Sequence, residues 1–241
     1  MGMTVSWMLV AAALAAFCIT AVSGIFLIPA LHRLHFGQTI RESGPVWHNK
    51  KQGTPTMGGF CFILGVLLAV GLAYVGLSRL EPGLLEPQQL QASLLVLFLA
   101  FGSGFIGFLD DFTKVVRHRN LGLLAWQKLV LQFLVTGCFM AGLSSLGLMT
   151  RIIMLPVVGA VDLGIFYYPI AFFGIIFLVN AVNLTDGLDG LCSCVTFVSM
   201  LGYLLAASML GFYHVAVLST AMAAACAGFL VWNFYPAKVF M

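Results

Sequence analysis

Seven stretches of almost uninterrupted apolar residues, most of them long enough to cross a membrane, limit what this chain can fold into. They run approximately over 5–31, 57–77, 92–109, 129–148, 168–183, 191–212 and 215–232, the fifth being short. About 20 helical residues cross the hydrocarbon core, where a backbone must satisfy its own hydrogen bonds and so spans as helix. Only 8% of the 241 residues are charged and 61% are hydrophobic, whereas a soluble domain carries roughly 25% charged residues. The expected fold is all-α, a polytopic integral membrane helix bundle of about seven transmembrane helices, with 1–241 as a single membrane domain. The first run reads as a spanning helix rather than a cleavable signal, since no Lys or Arg precedes Arg33 and signal peptides open on a basic segment.

Seven crossings place the two ends of the chain on opposite sides of the bilayer. Arg33, Arg41, Lys50 and Lys51 follow the first run; Lys114, Arg117, Arg119 and Lys128 follow the third; Lys238 follows the seventh. Only Arg79 and Arg151 fall on the other side. Cytoplasmic connections carry the excess of Lys and Arg, so the N terminus is expected outside and the connection at 180–191 inside. A net charge of +3 is too small to suggest a nucleic-acid partner; the partner that composition implies is the lipid bilayer. Cysteines 18, 61, 138, 192, 194 and 226 lie mostly within apolar runs and read as small buried hydrophobes. Cys192-Ser193-Cys194 has no second ligand pair for zinc.

The outer connections look structural. Residues 78–91 hold Pro82 and Pro87 and suggest an irregular connector, while 151–166, built around Pro156, Gly159 and Gly164, suggest a short external hairpin. The inner connections carry the chemistry. Asn180-Ala181-Val182-Asn183-Leu184-Thr185-Asp186-Gly187-Leu188-Asp189-Gly190-Leu191 sets amides, a hydroxyl and two carboxylates between two lipid-soluble runs. Polar groups at a bilayer are costly and usually functional. The bland reading makes Asn183 a helix C-cap and Asp189 the N-cap of the next helix, which leaves the rest of the set unexplained. Gly187 and Gly190 allow a tight turn close to a ligand. His48 to Gly59 brings Lys51, Pro55 and Thr56 to the entrance of the second helix, where open backbone N–H groups favour an anion; a basic loop that merely sets topology is the bland alternative. Asp110-Asp111, followed by Lys114, puts two mutually repelling acids at a helix end where the macrodipole opposes them.

Two acidic clusters with Lys51, Lys114 and Thr56, all at one membrane edge, suit Mg²⁺ and phosphates. They suggest transfer of a phosphosugar to a lipid carrier. Ion-coupled transporters also carry acids and glycine-broken helices, but near the membrane midplane; a catalytically inert scaffold is a third reading.

Gly53-Thr54-Pro55-Thr56-Met57-Gly58-Gly59, Phe108-Leu109-Asp110-Asp111 with Lys114-Val115, the 180–191 stretch, and Asn233-Phe234-Tyr235-Pro236-Ala237-Lys238-Val239-Phe240-Met241 occur in that order. Together they resemble the bacterial phospho-N-acetylmuramoyl-pentapeptide transferases (translocase I) of the polyprenyl-phosphate N-acetylhexosamine-1-phosphate transferase superfamily. The Gly-Thr-Pro-Thr-Met-Gly-Gly stretch points to that member rather than to relatives acting on other sugars. The resemblance implies a Mg²⁺-dependent transfer of phospho-MurNAc-pentapeptide from UDP-MurNAc-pentapeptide to undecaprenyl phosphate, giving lipid I and UMP in peptidoglycan synthesis. It implies a multi-pass protein of the bacterial inner membrane, with the active site facing the cytoplasm and homodimers in the family.

By motif match, Asp110, Asp111 and Lys51 would be catalytic, Asp110 contacting or deprotonating the lipid phosphate. Thr56, Lys114, Asn180, Asn183, Asp186, Leu188, Asp189 and Phe240 would bind substrate, with Phe240 stacking on uracil. Asp111 and Asn183 would be metal ligands. The family has ten transmembrane helices and continues past the position of Met241 with a further essential acid, a principal Mg²⁺ ligand. The chain is therefore expected to be C-terminally incomplete relative to the family and inactive by itself.

Overall fold

The computed structural model describes residues 2–33, 54–116 and 122–241; the expected site residue Lys51 lies outside them. Seven long helices account for most of the described chain: α1 (Met3–Arg33), α2 (Gly59–Leu80), α3 (Pro87–Val116), α4 (Ala125–Ser145), α5 (Tyr167–Thr185), α6 (Leu191–Leu210) and α7 (Tyr213–Asn233). Each matches one of the seven apolar runs, and each is long and apolar enough to cross a membrane. An antiparallel hairpin, β1 (Ile152–Leu155) and β2 (Gly159–Asp162), fills the connection between α4 and α5.

One boundary differs from the sequence expectation in a way that matters. Asp110 and Asp111 do not open a loop; they lie inside α3, which runs on to Val116. The helix continues because Lys114, three and four residues further on, reaches back to both acids. Thr113 Oγ1 also donates to the Leu109 carbonyl at 2.6 Å. The other end of α3 begins at Pro87, a position where a missing N–H costs nothing.

α7 sits at the centre, packed against α1, α2 and α6. Small residues let these backbones approach. On α1, Ala12, Ala16, Thr20 and Gly24 are buried at four-residue intervals, and Gly65, Ala69 and Ala73 do the same on α2. A Cβ on Gly228 of α7 would meet the Phe17 carbonyl of α1 at 2.6 Å, and one on Gly65 would collide with Thr20. Lipid offers helices little hydrophobic reason to associate, so close packing of small residues supplies the contact energy. Trp232 Nε1 adds a hydrogen bond to the Ala21 carbonyl at 2.8 Å. The remaining helices run from α3, which touches α7, through α4 and α5 to a slight contact with α6. Within α5 only Ile176 is fully buried, and about half of the helix's residues are exposed.

Candidate functional site at one end of the bundle

Alternating helix direction gathers the C-terminal ends of α1, α3, α5 and α7 with the N-terminal ends of α2, α4 and α6. The sequence motifs meet there. The segment after α7 pairs with the entry to α2: Phe240 N donates to the Pro55 carbonyl at 2.9 Å, and Gly58 N donates to the Phe240 carbonyl at 2.8 Å. A Cβ on Gly58 would lie 2.7 Å from both the Phe240 carbonyl and Val239 Cγ2, so only glycine fits the crossing. Phe60 at the start of α2 meets Phe108 of α3 edge-on, with ring centroids 5.6 Å apart.

On α3, Lys114 Nζ lies 2.7 Å from Asp110 Oδ2 and 2.8 Å from Asp111 Oδ1. Asp110 Oδ1 accepts from Leu123 N at 2.8 Å, which fastens the start of α4 to the end of α3. Gly122 passes so close to Asp110 that any Cβ would collide with its carboxylate. The lysine thus bridges two acids whose repulsion would otherwise oppose this helix end.

Asp186 is the C-cap residue of α5. Burial first, then the nearby Asp111 charge, push its carboxyl up to about 6, partly offset by a hydrogen bond from the Met241 backbone. Its Oδ1 is buried without a hydrogen-bond partner. That relation to Asp111 brings the α3 acids and the 180–191 stretch to the same end of the molecule. Asp189 Oδ2 accepts from Ala237 N at 3.2 Å, and Gly190 holds the α6 N-cap position with φ 72°. The bland capping reading does not hold: Asn183 lies within α5, and the caps are Asp186 and Gly190.

The other expected residues fall as follows. Thr56 is buried beside the paired segment, and Phe240 is buried with 5% of its surface exposed. Asn183 and Leu188 are exposed. Asn180 sits one turn earlier on α5, where its amide pairs reciprocally with Gln132 of α4 at 2.9 and 3.3 Å and also donates to the Ile176 carbonyl. In this arrangement Asn180 joins two helices.

Asn233 enters the sequence reading only as the start of the last motif and with no role, yet it is fully buried at the end of α7. Its Oδ1 accepts from Gly190 N at 3.1 Å and Ser193 Oγ at 3.3 Å, and its Nδ2 donates to the Val239 carbonyl at 2.9 Å. One side chain thereby ties α6, α7 and the last segment together. The signal was available: an amide closing an otherwise apolar run.

Among the described residues no three His, Cys, Asp or Glu side chains cluster closely enough to form a metal cage. Mg²⁺ does not require one, since it binds through one or two carboxylates plus phosphates and retained water. The unpartnered, buried Asp186 oxygen beside the Asp111 charge fits a hard cation of that kind. All described acids (Glu81, Glu86, Asp110, Asp111, Asp162, Asp186 and Asp189) lie in connections or within the last two turns of a helix rather than at mid-helix.

A helical bundle able to span a membrane, with carboxylates and a lysine collected at one edge, defines a class of membrane protein that handles charged groups beside lipid. Residues 93–241 match the model of glycosyl transferase family 4. The chain is 41% identical over 225 residues to a phospho-N-acetylmuramoyl-pentapeptide-transferase of Halalkalibacterium halodurans, covering 93% of this chain and 66% of that relative. It is 43% identical over 231 residues to the protein of that name from Clostridioides difficile, with 95% and 68% covered. For the Bacillus subtilis protein the identity is 41% over 225 residues, with 93% and 67% covered. The chain belongs to glycosyl transferase family 4 and, within it, to the phospho-N-acetylmuramoyl-pentapeptide-transferases. It spans about two thirds of the length of these relatives.

Proposed function

We propose that this chain carries the cytoplasmic-face site of a transferase that moves phospho-MurNAc-pentapeptide from its UDP carrier to undecaprenyl phosphate, yielding lipid I and UMP. The observation that carries the reading is the meeting of the Asp110–Asp111–Lys114 cluster with Asp186 at one membrane edge, in a chain about 40% identical to relatives of that name. A lipid phosphate sits at that depth, whereas a transporter would need its acids near the middle of the bilayer.

In the transfer, an oxygen of the lipid phosphate bonds to the sugar-linked phosphorus. The bond from that phosphorus to UMP breaks, and its electron pair leaves with UMP. Lys114, already placed by two carboxylates, is positioned to turn its ammonium toward the phosphates, with Lys51 as a second cation. Asp110 is proposed to contact or deprotonate the lipid phosphate. Asp111 and Asp186, with Asn183 nearby on α5, would hold Mg²⁺, which when bound neutralises charge developing on the pyrophosphate. Thr56, Leu188 and Asp189 would border the nucleotide. Phe240 could stack on uracil only if its buried ring were uncovered.

The test joins this chain to the part of the Clostridioides difficile relative that it does not match, and follows UMP release from UDP-MurNAc-pentapeptide. Turnover should require both undecaprenyl phosphate and Mg²⁺. Asp110→Asn should lower it by about 10²–10³-fold, the usual cost of removing one preorganised electrostatic contact. Arg79→Ala, at the opposite membrane edge, should leave it unchanged. Near-normal turnover in Asp110→Asn would remove this cluster from the reaction.

A further inference from the structure

The hairpin between α4 and α5 carries a surface that the transfer reaction does not use. From Ile152 to Val161 there is no polar side chain; the charged residues Arg151 and Asp162 stand at the base. The register pairs Ile153 with Val161 and Met154 with Ala160. Because side chains alternate along a strand, Ile153 and Val161 share one face, and both are half-buried. The opposite face carries Ile152 and Met154, and the tip carries Val157 and Val158. All four are exposed, Met154 at 77% and Val157 fully. Val157 also adopts φ 77°, a conformation that suits Gly or Asn and strains a β-branched residue. An apolar side chain therefore stands at the tip against local preference.

A two-stranded hairpin with an uncovered apolar face is marginal in water. Its neighbours in the chain are apolar and exposed as well. The chain leaving β2 passes through Ile165 and Phe166, both at least 70% exposed, and enters α5, the helix with one buried residue. The apolar hairpin thus leads along the chain into a helix whose exposed residues are mostly apolar and which is long and apolar enough to cross a membrane.

We propose that the hairpin is an interfacial anchor that lays Ile152, Met154, Val157 and Val158 into the outer leaflet at the headgroup–acyl boundary. The depth follows from the backbone. A two-stranded ribbon keeps unpaired N–H and C=O groups on its outer edges, which the hydrocarbon core would not tolerate and the hydrated boundary does. Arg151 at the base can lay its stem along the apolar surface and reach lipid phosphate with its guanidinium. Asp162 already accepts from Gly164 N at 2.8 Å and remains on the aqueous side. Tyr167 and Tyr168, one turn on, occupy the level where aromatic residues border a membrane.

The test places a nitroxide at Val157→Cys and at Glu86→Cys, an exposed site in the other outer connection. Both proteins are reconstituted in phosphatidylcholine–phosphatidylglycerol vesicles, and the labelled parent chain is subtracted for the native cysteines. Collision with oxygen is compared with collision with a water-soluble nickel chelate. The oxygen-to-nickel ratio at 157 should exceed that at 86 several-fold. It should fall to the value at 86 when Met154→Asp and Val158→Asp are added. A ratio at 157 equal to that at 86 would overturn the proposal by placing the tip in water. A label immobilised and shielded from both reagents would overturn it by placing the tip against protein, whether a second copy or another chain.

Discussion

Asp186 shows how far one carboxyl can be moved by its setting. Its pKa rises from 3.8 to about 6, first through burial and then through the Asp111 charge. Between those two values the folded chain holds a proton that the unfolded chain has released. Folding is favoured at the acid side of that window and loses stability as pH rises through it. Asp186→Asn should remove this loss. Thermal unfolding in detergent should show the variant and parent alike below about pH 3.8, with the variant gaining as pH rises to about 6 and keeping that gain above it. A constant difference across the window would assign the effect to something other than this proton. The two loop glycines make a second residue-scale contrast. The sequence makes Gly187 and Gly190 look equivalent, yet only Gly190 needs positive φ, and its Cβ would lie 3.3 Å from Leu230. A Cβ on Gly187 meets only the Leu184 carbonyl, at 3.8 Å. Gly190→Ala should therefore lose about 1–2 kcal/mol, the cost of a left-handed residue with a side chain. Gly187→Ala should stay within about 0.5 kcal/mol. Denaturant titration of the two variants decides it.

Helices were legible in the sequence because length and apolarity suffice to mark a span, and all seven were found. Their polar ends were less so. Asp110 and Asp111 look like loop residues until Lys114 is seen to neutralise them within α3. Asn180 looks like part of the polar stretch until Gln132, 48 residues away, takes up its amide. Such pairings depend on which helices become neighbours, which periodicity along one helix does not encode. Asn233 makes the same point for the C-terminal segment, whose pairing with the α2 entry hangs on this amide. Asn233→Ala would leave Gly190 N and the Val239 carbonyl without their partner, at a cost of about 1–3 kcal/mol for each buried group left unsatisfied. Hydrogen exchange should then show Gly58 N and Phe240 N losing protection, while amides in the middle of α7 keep theirs. Unchanged exchange at both would mean that the segment is held by its apolar contacts with Met57, Cys61 and Phe229 alone.

For the whole molecule, the same seven-helix alternation that assembles the site also assigns each connection to a face, and the two assignments must agree. The site end collects Arg33, Lys114, Lys128 and Lys238 among the described residues, and the hairpin end holds Arg79 and Arg151. The full sequence adds Arg41, Lys50 and Lys51 to the connection between α1 and α2, and Arg117 and Arg119 to that between α3 and α4. Orientation follows the Lys and Arg bias of short connections, so the site end should face the cytoplasm. The proposed reaction requires the same, because a UDP-linked donor is water-soluble and would have to meet the lipid phosphate on the side where it is made. Lys238 and Glu86 are exposed at opposite ends of the bundle, and a cysteine at either can report its side to a membrane-impermeant maleimide. Lys238→Cys should react only in inside-out vesicles and Glu86→Cys only in right-side-out cells, with the parent chain as background for the native cysteines. Reaction of both from the same side would break the seven-span topology. A clean reversal would keep the topology but set the carboxylate–lysine cluster on the outer face, away from the nucleotide donor, and the transferase reading would fall with it.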